Sequence, residues 1–313
     1  MITKNNRIEK VEGGVSYEWD TYDAFLEDFK QLKEAEPHYV ASHLYFSGGA
    51  LGMEFISSAQ SDNWYGCDGG AYKCMSLVEN GWPELRERLA KMMDGIELEL
   101  PVFPQMDNVR RRKRRWMDQG DTVSMTRVWN GQLDTAWQRP VRINRMQPNT
   151  KRISLAFDVS DNANIRNKEA MWRAALCTLL CDSLARAGRV FEIWVIDSTV
   201  GPFYSGPHKL WSGWCVKQTQ DPLVMDRMAG MVSIGFMRTA GFMAEGMGPY
   251  RVTSSLGGSL HYGLPATLRR RQAEGEVVLR IAGCYSKEGA IDEYARAWQE
   301  IEAAINGTQE DAA

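Results

Sequence analysis

The sequence has no apolar run of membrane-spanning length, so no transmembrane helix is expected among its 313 residues. Its first residues, MITKNNRIEKVEGG, carry no apolar segment behind their basic side chains. That argues against a secretory leader and places the chain in the cytoplasm by default. Histidine is scarce, with four in all, and none of the six cysteines forms a CxxC pair, so the usual structural zinc sites are not expected. Cys177 and Cys181 stand four apart in an apolar helical pattern, and Cys215 and Cys284 fall in strand-like stretches. Only Cys67 and Cys74 lie in a Gly-rich, loop-like setting. The reading is reduced, mostly buried thiols. There is no G-x-S-x-G elbow and no H-E-x-x-H pair. His38, His43, His208 and His261 have no acid or nucleophile at a telling spacing, which lowers the expectation of an enzyme. The GGALG run at 48–52 lacks the Lys-Ser/Thr of a phosphate-binding loop and reads as a turn. A net charge of −3 excludes a polycation that coats nucleic acid indiscriminately.

What is present is the composition of a globular protein, with 44% hydrophobic and 25% charged residues and enough chain for a sizeable core. Tryptophan (11) and methionine (16) are abundant and read mostly as core. Residues 1–108 read as an α+β N-terminal region. TYDAFLEDFKQLKEA (21–35) has apolar positions at helical spacing. Residues 72–93 read as two short helices, the first stopped by Asn80-Gly81 and the second opened by Trp82-Pro83. IELELPVFP then suggests a strand and an exit.

Residues 109–150 read as a basic segment and hairpin connector. Arg110, Arg111, Arg112, Lys113, Arg114 and Arg115 are consecutive and precede Trp116. Such a block repels itself, and phosphate is the partner that relieves it; Trp116 is available for stacking on a base. The bland alternative is a solvated face or linker. Asn130-Gly131 lies between two polar-aromatic runs, a hairpin signature that would let Trp129 and Trp137 pack across a strand pair.

From residue 151 the pattern becomes α/β. RISLAFDVS is a strand, NKEAMWRAALCTLLCDSLARAG a long helix closed by Gly188, and RVFEIWVIDS a second strand. HKLWSGWCVKQ and EVVLRIAGC are further strands, with a Met-rich helical region broken by glycines between them. SKEGAIDEYARAWQEIEAAIN is an amphipathic final helix capped by Ser286, and 307–313 is a frayed tail. The expected fold class is α/β, with a mostly parallel sheet flanked by helices over 151–306. The apolar run Ile153–Phe157 ends in Asp158-Val159-Ser160-Asp161-Asn162. In an open parallel sheet, ligands sit at the carboxyl ends of strands. Carboxylate and hydroxyl oxygens there suit Mg²⁺ or Mn²⁺, although Asp, Ser and Asn also serve as turn and helix-cap residues.

The run AFDVSDN, followed by a helix and RVFEIWVID, resembles the start of a von Willebrand factor A-type domain. The resemblance implies a metal site built from a D-x-S-x-S motif, a threonine from a later loop and an acid after the fourth strand. Asp158 and Ser160 match the first two positions, Asn162 stands in place of the second serine, and Thr219 is placed for the threonine. The fourth strand ends in Ala282-Gly283-Cys284, without the acid. The layout, with NGWPE at Asn80–Glu84, also resembles uncharacterised proteins of phages and prophages.

Three readings follow. The first is a non-enzymatic interaction module whose strand-end face, including Asp161 and Asp197, docks a protein. The resemblance implies an AAA-type ATPase or a larger assembly as that partner. The second is a nucleic-acid-binding protein acting through Arg110–Arg115 and Trp116. The third is a metal-dependent hydrolase or transferase that requires Asp158 and Asp197 to meet in one cleft.

Overall fold

The computed structural model describes residues 5–11, 14–35, 66–67, 70–93, 112–117, 122–142, 152–160, 165–200, 209–241 and 263–310. The chain divides into two units, Met1–Leu98 with Lys151–Ala313, and Glu99–Thr150.

The larger unit is an α/β fold on a six-stranded sheet. Its strands are β1 (Arg7–Val11), β2 (Gly14–Trp19), β6 (Ile153–Asp158), β7 (Phe191–Val200), β8 (Lys209–Lys217) and β9 (Val277–Ile281), in spatial order β1-β2-β8-β7-β6-β9. The sheet is mixed. β6 runs parallel to β7 and β9, and β8 runs parallel to β2, but β7 meets β8 antiparallel and β1 meets β2 antiparallel. The N-terminal residues therefore do not fold apart: β2 extends the C-terminal sheet by pairing with β8. Gly14 permits that approach, since a Cβ there would lie 2.2 Å from the Lys209 carbonyl oxygen.

Most helices follow the sequence pattern. The helices of this unit are α1 (Tyr22–Ala35), α2 (Gly70–Asn80), α3 (Pro83–Met93), α5 (Asn167–Arg186), α6 (Met225–Met231), α7 (Ile234–Phe236), α8 (Ala266–Ala273) and α9 (Lys287–Glu310). Gly81 and Gly188, at φ +85° and +67°, end α2 and α5 as left-handed caps. The Ser286 hydroxyl accepts from the Gly289 N–H at 3.1 Å and opens α9, which continues through the segment expected as a tail to Glu310. Among the described residues no helix is long and apolar enough to cross a membrane.

One face of the sheet is built on aromatics. Trp19 and Trp214 are register partners and stack at 5.9 Å, and Phe25 of α1 and Phe236 of α7 pack edge-on against Trp214. Each such contact contributes about 1 kcal/mol beyond area burial. The other face carries α8, whose Leu268 joins Ala156, Trp194, Ile196, Cys215 and Val278. Buried polar groups of β2 hold its start. The Ala266 N–H donates to Ser16 Oγ at 3.0 Å, and the Thr267 N–H donates to the Glu18 carboxylate at 3.1 Å. A helix N-terminus is the place where a buried carboxylate is best compensated.

The smaller unit contains β3 (Arg112–Met117), β4 (Thr122–Val123), α4 (Met125–Trp129), a 3₁₀ turn (Leu133–Thr135) and β5 (Trp137–Arg142), with sheet order β3-β5-β4. Asn130-Gly131 is not a two-residue hairpin turn. Asn130 ends α4, and Gly131, at φ +72°, turns the chain into the 3₁₀ segment. The strands β4 and β5 do pair, at Thr122↔Gln138 and Val123↔Trp137, with α4 enclosed between them in sequence.

Candidate functional site

Residues 112–117 make β3, with β5 antiparallel beside it. The register sets Arg112 opposite Arg142, and Arg115 opposite Arg139. Like charges directly opposite across strands destabilise the pair by a few tenths of a kcal/mol to about 1 kcal/mol each, unless an anion lies between them. β3 and β5 together hold six basic residues and no acid. Over residues 99–150 there are ten Lys/Arg against five Asp/Glu, a formal +5 within a chain of −3. Arg110 and Arg111 lie outside the described residues.

The same unit exposes apolar surface. Trp129 is 81% exposed, Leu133 62%, Met125 52% and Trp137 38%. Trp129 and Met125 stand four apart on α4 and so share a helix face. Trp129 and Trp137 do not pack across a strand pair, because Trp129 is in the helix. The turn that presents them is tied by Arg127, whose Nη1 donates to Thr135 Oγ1 at 3.0 Å. The unit thus combines a cationic ribbon with aromatic side chains open to stacking.

The strand-end corner is different. Asp158 is 2% exposed, and its Oδ2 accepts from Arg280 Nε at 3.1 Å and also from Nη2. Its Oδ1 accepts from the Ser160 N–H at 2.9 Å, and Ser160 Oγ accepts from the Ser198 N–H at 3.0 Å. Thr219 is not at this corner. Its hydroxyl donates to Glu192 Oε1 at 3.0 Å. Glu192 is the register partner of Ser154, and Asp158 is that of Ile196, so four residues of strand, roughly 13 Å, separate the two ends. Glu192 also accepts from Trp194 Nε1 at 3.2 Å and pairs with Arg271 of α8, so Thr219 completes a structural cluster. Asp161 and Asn162 lie outside the described residues. Asp197 is buried, and strand alternation sets it on the sheet face opposite Asp158, so the two acids do not meet in one cleft. The described members of the expected metal set therefore do not fit around one ion, and among the described residues no three His, Cys, Asp or Glu group to hold one.

The description "Domain of unknown function (DUF7192)" belongs to a family model that matches residues 16–305. The chain belongs to that family. No curated protein and no solved structure matches it. The DUF7192 match runs from β2 to α9 and includes the basic unit, so ribbon and sheet belong to one family pattern.

The sequence singles out the basic residues of β3, but neither their strand nor its partner. Arg139 and Arg142 are separated from the run by more than twenty residues, and only the pairing register brings them opposite it. The QRPVR stretch is the signal that could have found them, since it repeats the basic, acid-free character of β3. Arg280 has no such signal: a single arginine inside an apolar strand gives no cue to its partner 122 residues away.

Proposed function

We propose that this DUF7192 chain binds single-stranded nucleic acid through residues 99–150. The carrying observation is the β3–β5 register, which places arginine opposite arginine at two positions. The phosphate backbone supplies the anions that such a ribbon needs, and Trp129 and Trp137 supply the flat apolar surfaces on which unpaired bases stack. Phosphate contact gives affinity without sequence choice, and stacking favours a strand whose bases are free over a duplex.

The test is fluorescence anisotropy of a labelled single-stranded oligonucleotide titrated with the full chain at low salt. Binding is expected, weaker for the duplex of the same sequence, and weakened further by Arg139→Gln combined with Arg142→Gln. Absence of binding at low salt overturns the reading, and equal affinity for duplex and single strand overturns its stacking part.

A further inference from the structure

The Cys67 and Cys74 sulfurs lie 2.8 Å apart and both residues are buried. That is inside the ordinary contact distance of two thiol sulfurs and less than about 1 Å beyond a disulfide bond of about 2.05 Å. Both residues are held by surrounding structure. Cys67 follows Gly66, which takes φ +79° and abuts the start of α5, where a Cβ would lie 2.8 Å from Asn167 Oδ1. Cys74 sits in α2, a helix anchored to α1 by the bond from the Tyr22 hydroxyl to the Val78 carbonyl. Two separately fixed elements thus bring the sulfurs together.

We propose that Cys67 and Cys74 form a reversible dithiol–disulfide site, with a low-molecular-weight disulfide such as oxidised glutathione as the oxidant. One cysteine loses its proton and attacks a sulfur of the oxidant. The oxidant's S–S bond breaks, one glutathione leaves as its thiol, and a mixed disulfide remains. The neighbouring cysteine loses its proton, attacks the protein sulfur of that mixed disulfide and displaces the second glutathione. In sum, two S–H bonds on the protein are lost and one S–S bond forms. Two electrons and two protons pass to the oxidant, which is reduced to two thiols. The bond closes a short ring from 67 to 74 and ties the turn at Gly66 to α2, so the oxidised form has fewer unfolded conformations and a higher Tm.

The experiment equilibrates the full chain in buffers of graded reduced-to-oxidised glutathione, quenches with acid, and alkylates the thiols after denaturation. Six alkylated cysteines are expected in the reduced buffers and four in the oxidised ones, with six restored by dithiothreitol. Lys73 lies between the pair in sequence, so tryptic cleavage yields two peptides joined by the bond, which identifies it directly. The Tm rises on oxidation of the wild type and does not rise in Cys67→Ser or Cys74→Ser. Six alkylated cysteines at every glutathione ratio, stable glutathione adducts without the joined peptides, or a bond between other cysteines overturns the proposal. The alkylation count and the joined peptides are read on the wild type, so the outcome does not depend on whether either variant folds.

Discussion

At the scale of single residues, exposure separates side chains that hold the fold from those free to bind. Trp129 is a large aromatic that the fold leaves in water, and its removal costs the fold little. Trp129→Ala is expected to weaken oligonucleotide binding by about 1–3 kcal/mol while leaving Tm and the far-UV spectrum unchanged. An unchanged affinity in anisotropy would remove the tryptophan from the interface. Tyr22 is the opposite case. Its buried phenol donates to Val78, and burial raises its pKa from 10.0 to about 12. The folded phenol holds its proton where the unfolded one has released it. Its contribution is therefore complete below pH 10 and is lost as pH rises through about 12. Urea titrations should show wild-type stability falling more steeply than that of Tyr22→Phe between pH 10 and 12. Parallel curves would mean that the phenol is not held as described.

At the scale of elements, local pattern and distant pairing part company. α1 and α9 are legible in the sequence from their 3.6-residue periodicity, α2 and α3 from the Asn80-Gly81 stop and the Trp82-Pro83 start, and α5 from a long apolar run closed by Gly188. The strands β6, β7, β8 and β9 are legible as apolar runs, but their directions are not. β8 is antiparallel to β7 because the chain returns directly beside it, and no residue in HKLWSGWCVKQ encodes direction. The helix α8 escapes sequence reading altogether, since ATLRRRQA is too short and too basic to show an apolar stripe. β2 is equally hidden: its partner is nearly two hundred residues away, and only close approach at Gly14 betrays the pairing. Gly14→Ala is expected to destabilise the larger unit by about 1–3 kcal/mol, because the methyl group meets the Lys209 carbonyl and the β2–β8 edge must part. Chemical denaturation measures this, and a neutral result would place β2 elsewhere. The strand-end corner misleads for a related reason. Asp158-Val159-Ser160 has the residue types of a cation site, but the Arg280 guanidinium from β9 holds Asp158 Oδ2, and the Ser160 and Ser198 N–H groups donate to Asp158 Oδ1 and Ser160 Oγ.

At the scale of the whole molecule, charge is partitioned along the chain. Residues 99–150 carry +5, which leaves 27 basic and 35 acidic residues, −8, on the rest. A uniformly basic chain would bind polyanions anywhere on its surface, whereas this one concentrates its attraction in a single inserted unit. Salt dependence reads that concentration out, because each phosphate contact releases counterions and sets the slope of log affinity against log salt. Anisotropy titrations from low to physiological salt should give a steep negative slope for the wild type. The slope for the Arg139→Gln, Arg142→Gln double variant should be shallower by about 1.4 if two single-strand phosphate contacts are lost. A wild-type affinity indifferent to salt, or a variant slope equal to that of the wild type, would rule out a phosphate-binding ribbon at β3 and β5.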